Sequence, residues 1–121
     1  MKHNFRELQI WKEGIDNAVN TYAYCNAFPK EELFGLTLQM KKSAVSIPAN
    51  ISEGCGRGTD AQLVHFLDIS LGSACELETH VVIAERLHFL EKNLAENWIS
   101  ALHLEQKRIR SFRDKIGSGL L

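Results

Sequence analysis

The chain reads as an all-α protein, an antiparallel up-down-up-down four-helix bundle occupying residues 1–121 as one domain. Three observations predict this. Apolar residues recur at steps of three and four along most of the sequence, the spacing of one helix face. No stretch alternates apolar and polar with the period of two that a half-buried strand requires. Of the strong chain breakers, two prolines and eight glycines, Pro29, Gly35, Gly56 and Gly58 fall between the periodic runs. The helices are expected at about 5–27, 37–54, 59–87 and 91–115. At about 1.5 Å per residue each is about 30–40 Å long, and the short connections favour antiparallel neighbours.

In the first segment Leu8, Trp11, Ile15, Ala18, Tyr22 and Cys25 form a heptad-like seam suited to packing on other helices. Phe28-Pro29 stops it, because the residue before proline avoids the helical region. Pro29, Glu31 and Glu32 can begin a short turn that Gly35 loosens. The second helix is expected to start at Thr37 as N-cap, with Met40, Ala44, Ile47 and Ile51 as its apolar stripe. Pro48 lies inside it, where it removes a donor and crowds the Ala44 carbonyl. The stripe keeps register from Ala44 to Ile51, which favours one kinked helix over a stop near Ser46 and a restart.

Gly54, Gly56 and Gly58 end that helix, with Gly54 or Gly56 expected as the left-handed C-cap. Thr59 and Gln62 fit a capping box for the third helix. Its seam, Leu63, Leu67, Ser70, Ala74, Leu77, Val81 and Ala84, is the longest regular one in the chain. The small seam members, with Gly72 and Ser73 beside them, suggest close approach of a neighbouring helix. A turn is placed near Leu87–Glu91, although that segment holds neither Gly nor Pro. Leu94, Trp98, Leu102, Ile109, Phe112 and Ile116 mark the fourth helix. Glu105 interrupts this stripe, so it sits at a wet edge or pairs across an interface. Gly117–Leu121 reads as a frayed tail.

Composition narrows the function. Lys and Arg number 14 against 15 Asp and Glu, a net charge of −1, so nucleic-acid binding would have to use a local patch. Cys25, Cys55 and Cys75 are odd in number and far apart, which fits free thiols in a reducing cytoplasm better than a disulfide or zinc framework. Cys25 and Cys75, at or beside seams, are expected to be inert core thiols, and Cys55, among glycines, the exposed one. The first residues lack the apolar core of a signal peptide, and no apolar run approaches the roughly 20 residues of a membrane span.

No enzyme is expected, nor a cofactor, metal or small-molecule substrate. Gly-Cys-Gly-Arg-Gly at 54–58 follows a helix and lacks Gly-Lys, so it matches neither a dinucleotide loop nor a P-loop. The N-terminus of the third helix beside Arg57 could still attract an anion. A di-iron bundle needs two Glu-x-x-His motifs, and only Glu85–His88 occurs, at a helix end. Glu76 and His80, one turn apart, suit a surface pair. No Gly-x-Ser-x-Gly nucleophile motif is present.

Two patterns remain. Gln39, Ser43, Ser46, Asn50, Glu53 and Arg57 form a polar seam on the second helix, rotated by about 100° from its apolar stripe. It is either a solvated face or a polar contact with another helix. Lys41 and Lys42 lie beside it. The last helix is locally basic, with Lys107, Arg108, Arg110, Arg113 and Lys115. These are either a solvated face suited to a helix C-terminus or, if assembly gathers several such ends, a phosphate-binding field.

The segments FPKEELFGLTLQMKKSAVSIPANISEG, the following GR, FLDISLGSACELET and RIRSFRDKI resemble the bacterial four-helix-bundle family encoded within intervening sequences of 23S ribosomal RNA genes. The similarity runs from about Trp11 to Ile116. It implies an antiparallel four-helix bundle and a ring-like homopentamer, as in related accessory proteins of diversity-generating retroelements. Those relatives are basic and associate with nucleic acid and a reverse transcriptase; this chain departs from them in its near-neutral charge. The positions matching the family's polar motif are Ser46, Asn50, Glu53, Gly54 and Arg57, then Gly72, Ser73, Glu76 and Glu78. No enzymatic activity goes with the family. The expected function is a non-catalytic oligomeric scaffold that binds RNA or an RNA-bound partner, with phosphate contacts from Lys41, Lys42, Arg57 and Lys107–Lys115. The alternative is a purely protein-binding module.

Overall fold

The computed structural model describes residues 3–119. Four α-helices account for most of them: α1 (Gln9–Cys25), α2 (Leu36–Cys55), α3 (Asp60–Arg86) and α4 (Lys92–Gly117). Two single 3-10 turns, Phe5–Glu7 and Lys30–Glu32, precede α1 and α2. No strand occurs among the described residues. Consecutive helices pack on one another and α1 closes against α4, a contact pattern compatible with up-down-up-down order. Side-chain contacts agree with it. The Phe28 and Phe89 rings, 5.5 Å apart, join the α1–α2 and α3–α4 connections at one end. His3 against Phe112, at 5.5 Å, and Arg113 bound to Asp68 lie toward the other.

The predicted seams of α2 and α3 are the core. Met40, Ala44, Ile47 and Ile51 are fully buried, and every residue of the α3 seam from Leu63 to Ala84 is buried. On α4, Trp98, Leu102, Ile109 and Ile116 are buried, with Leu94 and Phe112 packed partly against them. α1 differs from expectation. Its buried positions are Ile10, Gly14, Asn17, Thr21 and Cys25, whereas Ile15 and Tyr22 of the apolar seam are exposed. The inward face is set by one polar and one steric contact: Asn17 bonds Glu105 of α4, and Gly14 lies close against Pro48 of α2.

Local chemistry explains the boundaries. α2 starts at Leu36 and Gly35 stands at its N-cap. Thr37 is therefore not the cap; it is buried within the helix, and Glu32 Oε1 accepts from the Leu36 N–H at 3.3 Å instead. α2 is continuous through Pro48, in agreement with the unbroken register. Its C-terminus corrects the glycine assignment. Gly56 caps the helix in a right-handed conformation (φ −82°), and Gly58 holds the left-handed one (φ 90°). Gly54 is buried inside the helix, where an added Cβ would lie 2.9 Å from Phe66 Cβ and 3.0 Å from Leu63 Cδ1. Its role is to let α2 and α3 approach.

Thr59 caps α3: its Oγ1 accepts from the Gln62 N–H at 3.2 Å and donates to Gln62 Oε1 at 3.1 Å. α3 ends without glycine because His88 takes up a left-handed conformation (φ 62°). The Phe89 N–H then reaches the Ala84 carbonyl at 2.9 Å and the His88 N–H reaches Glu85 at 2.9 Å, closing the end of the helix as a Schellman-type cap does. Gly117 still belongs to α4, and Ser118 and Gly119 form a turn; Leu120 and Leu121 of the expected tail lie outside the described residues.

Candidate functional site

The polar seam of α2 divides. Its middle makes a helix–helix contact: Ser46 Oγ and Ser73 Oγ on α3 are 2.8 Å apart, while Asn50 Nδ2 donates within α2 to the Ser46 carbonyl and hydroxyl, both at 2.8 Å. Ser70 of α3 donates to the Ile47 carbonyl at 2.8 Å. Ser43 is buried and bonds back to its own helix at Gln39 and Met40. The lower end is a solvated face, where Glu53 and Arg57 pair at 2.8 Å while both remain exposed. The Arg57 guanidinium also lies 4.9 Å from the Phe66 ring. Pro48 is buried against Gly14.

The α3 motif residues scatter around the helix. Gly72 is open, and an added Cβ would meet nothing within 4 Å; no helix of the same chain makes the close approach its small side invited. Glu76 Oε1 and His80 Nε2 are 3.4 Å apart. Glu78 faces α4, where Gln106 Nε2 donates to it at 2.9 Å and His103 Nε2 lies 3.0 Å away. Burial pushes the Glu78 carboxyl up, but the bonds from Gln106 and His103 outweigh it and leave the group below its usual range.

The basic residues do not form one surface. Lys41 and Lys42 lie in the first half of α2, and Lys41 Nζ sits 4.7 Å from the Tyr22 ring. Arg57 and the Lys107–Lys115 segment belong to the opposite end of the bundle, the end where Arg108 pairs with Glu13 of α1. Three of the arginines are neutralised within the chain: Arg57 by Glu53, Arg108 by Glu13, and Arg113 by Asp68 and Asp114 at 2.8 and 3.0 Å. Lys41, Lys42, Lys107, Arg110 and Lys115 have no ion pair among the described residues.

Glu105, the break in the α4 stripe, pairs across the α1–α4 interface. It is 0 % exposed, and its Oε1 accepts from Asn17 Nδ2 at 2.8 Å. Its other oxygen has no hydrogen-bond partner among the described residues and faces the Gly14–Pro48 contact. Burial raises its carboxyl to about 8; the Asn17 bond lowers it and the charges of Glu13 and Asp16 add to the rise. At neutral pH it is mostly a neutral acid, which is how a carboxyl survives inside a core.

The cysteines correct the expectation. Cys55 is buried and Cys75 exposed. Burial also raises the Cys25 and Cys55 thiols, which leaves them poor nucleophiles. The first turn of α3 holds Asp60 beside Thr59, a carboxylate at the helix N-terminus, which disfavours an anion there. No group of three or more His, Cys, Asp or Glu among the described residues is placed to hold a metal. No described helix is long and apolar enough to cross a membrane.

These surfaces define an all-α helical bundle whose polar groups serve helix–helix contacts and surface pairs. The chain belongs to the 23S rRNA-intervening sequence protein family, whose model matches residues 6–111. Among solved structures it is similar to a protein of unknown function from the S23 ribosomal protein family of Bacteroides thetaiotaomicron VPI-5482. The TM-score is 0.79 at 22 % identity, over 87 % of this chain and 95 % of that one, a likeness that speaks to the fold. No curated protein matches. Neither family nor relative is described as catalytic.

Proposed function

We propose that the chain is a non-catalytic, self-associating scaffold, with the homopentamer implied by its resemblance as the expected assembly. The observation that carries this reading is the outer face of α3. There Ile69, Val82, Ile83 and Leu87 are exposed, with the open backbone of Gly72 among them. The opposite face of the same helix is already buried in the core. Exposed apolar side chains and a bare glycine, interspersed with Asp68, Glu76 and Thr79, let a second helix come close, as a subunit contact requires. Light scattering at micromolar concentration tests it. The expected mass is a multiple of the 13.7 kDa protomer, reduced by Ile83→Asp. A wild-type monomer would overturn the reading.

RNA, or a protein carrying it, is the second reading. It is favoured by Lys107, Arg110 and Lys115, basic groups at the end of α4 without an ion pair among the described residues. One protomer presents too few of them to offset a net charge of −1; an assembly repeats them. Filter retention of single-stranded RNA should then fall with salt, with a log–log slope of about −0.7 per phosphate contact. A flat salt response, or no retention at low salt, excludes it.

A further inference from the structure

One surface is used by neither reading. Two adjoining cavities of about 300 and 350 Å³ share Lys41 and run across the α1–α2 face. Their apolar lining is Phe28, Pro29 and Leu33 in the first and Tyr22, Leu38 and Val45 in the second. Val19, 63 % exposed, lies one helical turn before Tyr22. Lys30, Lys41 and Lys42 line the cavities and no carboxylate does. None of the three lysines has an ion pair among the described residues. The nearest acid in sequence that is tied down, Glu32, is turned to the Leu36 N–H.

The geometry points to this trough as the docking site for an acidic amphipathic helix of a partner protein. The lining carries three lysines without an ion pair among the described residues and no carboxylate, so the complementary occupant is acidic. The apolar pockets are separate and each sits at the low end of small-ligand size, which suits two anchors one or two helical turns apart better than one compact molecule. Single-stranded nucleic acid fits less well. It needs open aromatic faces for its bases, and the only ring in the second cavity, Tyr22, already has Lys41 Nζ 4.7 Å from its centroid. Phe34, 84 % exposed, lines neither cavity.

The test is fluorescence anisotropy with a labelled helical peptide of about 15 residues, with leucines at i, i+3 and i+7 and glutamates on the flanks. Saturable binding is expected, weakened at least about tenfold by the paired change Lys41→Glu with Lys42→Glu and by Val45→Asp, and unchanged by Lys107→Glu at the far end. All these positions are at least partly exposed, and circular dichroism checks that each variant keeps its helices. Equal binding of a scrambled peptide, or of one with lysine for glutamate, overturns the proposal. So does displacement of the peptide by an oligouridine that itself loses affinity in the lysine variant, which would make the trough a nucleic-acid site. If the peptide does not bind and Val45→Asp lowers the assembly mass while Ile83→Asp does not, the trough is the subunit contact, and both this proposal and the α3 reading fail; a change with Ile83→Asp alone leaves that reading intact and removes only this one.

Discussion

Glu105 carries the sharpest consequence at the scale of single residues. The folded chain holds its proton to about pH 8, whereas the unfolded chain releases it near 4.5. Between those values the native state binds a proton that the unfolded state does not. Stability from this group is therefore fullest below about pH 4.5 and falls as pH rises toward 8, by a few kcal/mol in all. Glu105→Gln keeps an oxygen for Asn17 and never ionises. Denaturant unfolding across this window should show a sloping midpoint for the native chain and a flatter, higher one for the variant. An unchanged slope would assign the pH dependence to other groups. Gly54 gives a second test. With an added Cβ only 2.9 Å from Phe66, Gly54→Ala should cost about 1–3 kcal/mol. Gly56→Ala, whose nearest such contact is 3.5 Å, should be close to neutral. Equal losses would show that the close α2–α3 approach is not what Gly54 provides.

At the scale of helices, the legible features were those in which one chemistry decides. The α3 seam is read directly from spacing, since each member from Leu63 to Ala84 points into the core. The α1 seam misleads because two helical faces compete. The more apolar one, with Ile15 and Tyr22, is exposed, while the inward one holds Gly14, Asn17 and Thr21. Asn17 is drawn inward by Glu105, 88 positions away, and no local pattern announces such a partner. Glu105 itself was visible as a break in the α4 stripe, but its proton and its bond depend on the assembled core. The α3–α4 turn lies at Leu87–Glu91 without glycine or proline; His88 supplies the left-handed residue that glycine usually provides. His88→Gly should accordingly raise stability by about 1 kcal/mol and His88→Val lower it, read as opposite shifts in the thermal midpoint.

Over the whole molecule, charge is organised more by pairing than by sequence clustering. The run from Lys107 to Lys115 is basic apart from Asp114, yet Arg108 and Arg113 spend their charge on Glu13, Asp68 and Asp114. This separates two outcomes that sequence alone merges. Arg108→Ala should cost about 1 kcal/mol or more, because it leaves a Glu13 side chain only 17 % exposed without its cation, and leave RNA retention nearly unchanged. Replacing Lys107, Arg110 and Lys115 together should leave the thermal midpoint in place and reduce retention. The opposite pattern would mean that Arg108 exchanges its intramolecular carboxylate for phosphate. The fold was legible because it rests on periodicity within each helix. The surfaces were not, because pairing joins residues that only the packed bundle brings together.

The exposed Cys75 bears on every measurement of size proposed for this protein. It lies on α3 between Gly72 and Val82, beside the exposed apolar residues suggested as a subunit contact. Two protomers meeting there in air can be welded by an interchain disulfide, and a covalent dimer formed on the bench would pass for a natural one. Samples kept in reductant, or carrying Cys75→Ser, report the reversible assembly alone. A species that vanishes with either treatment is an artefact of oxygen.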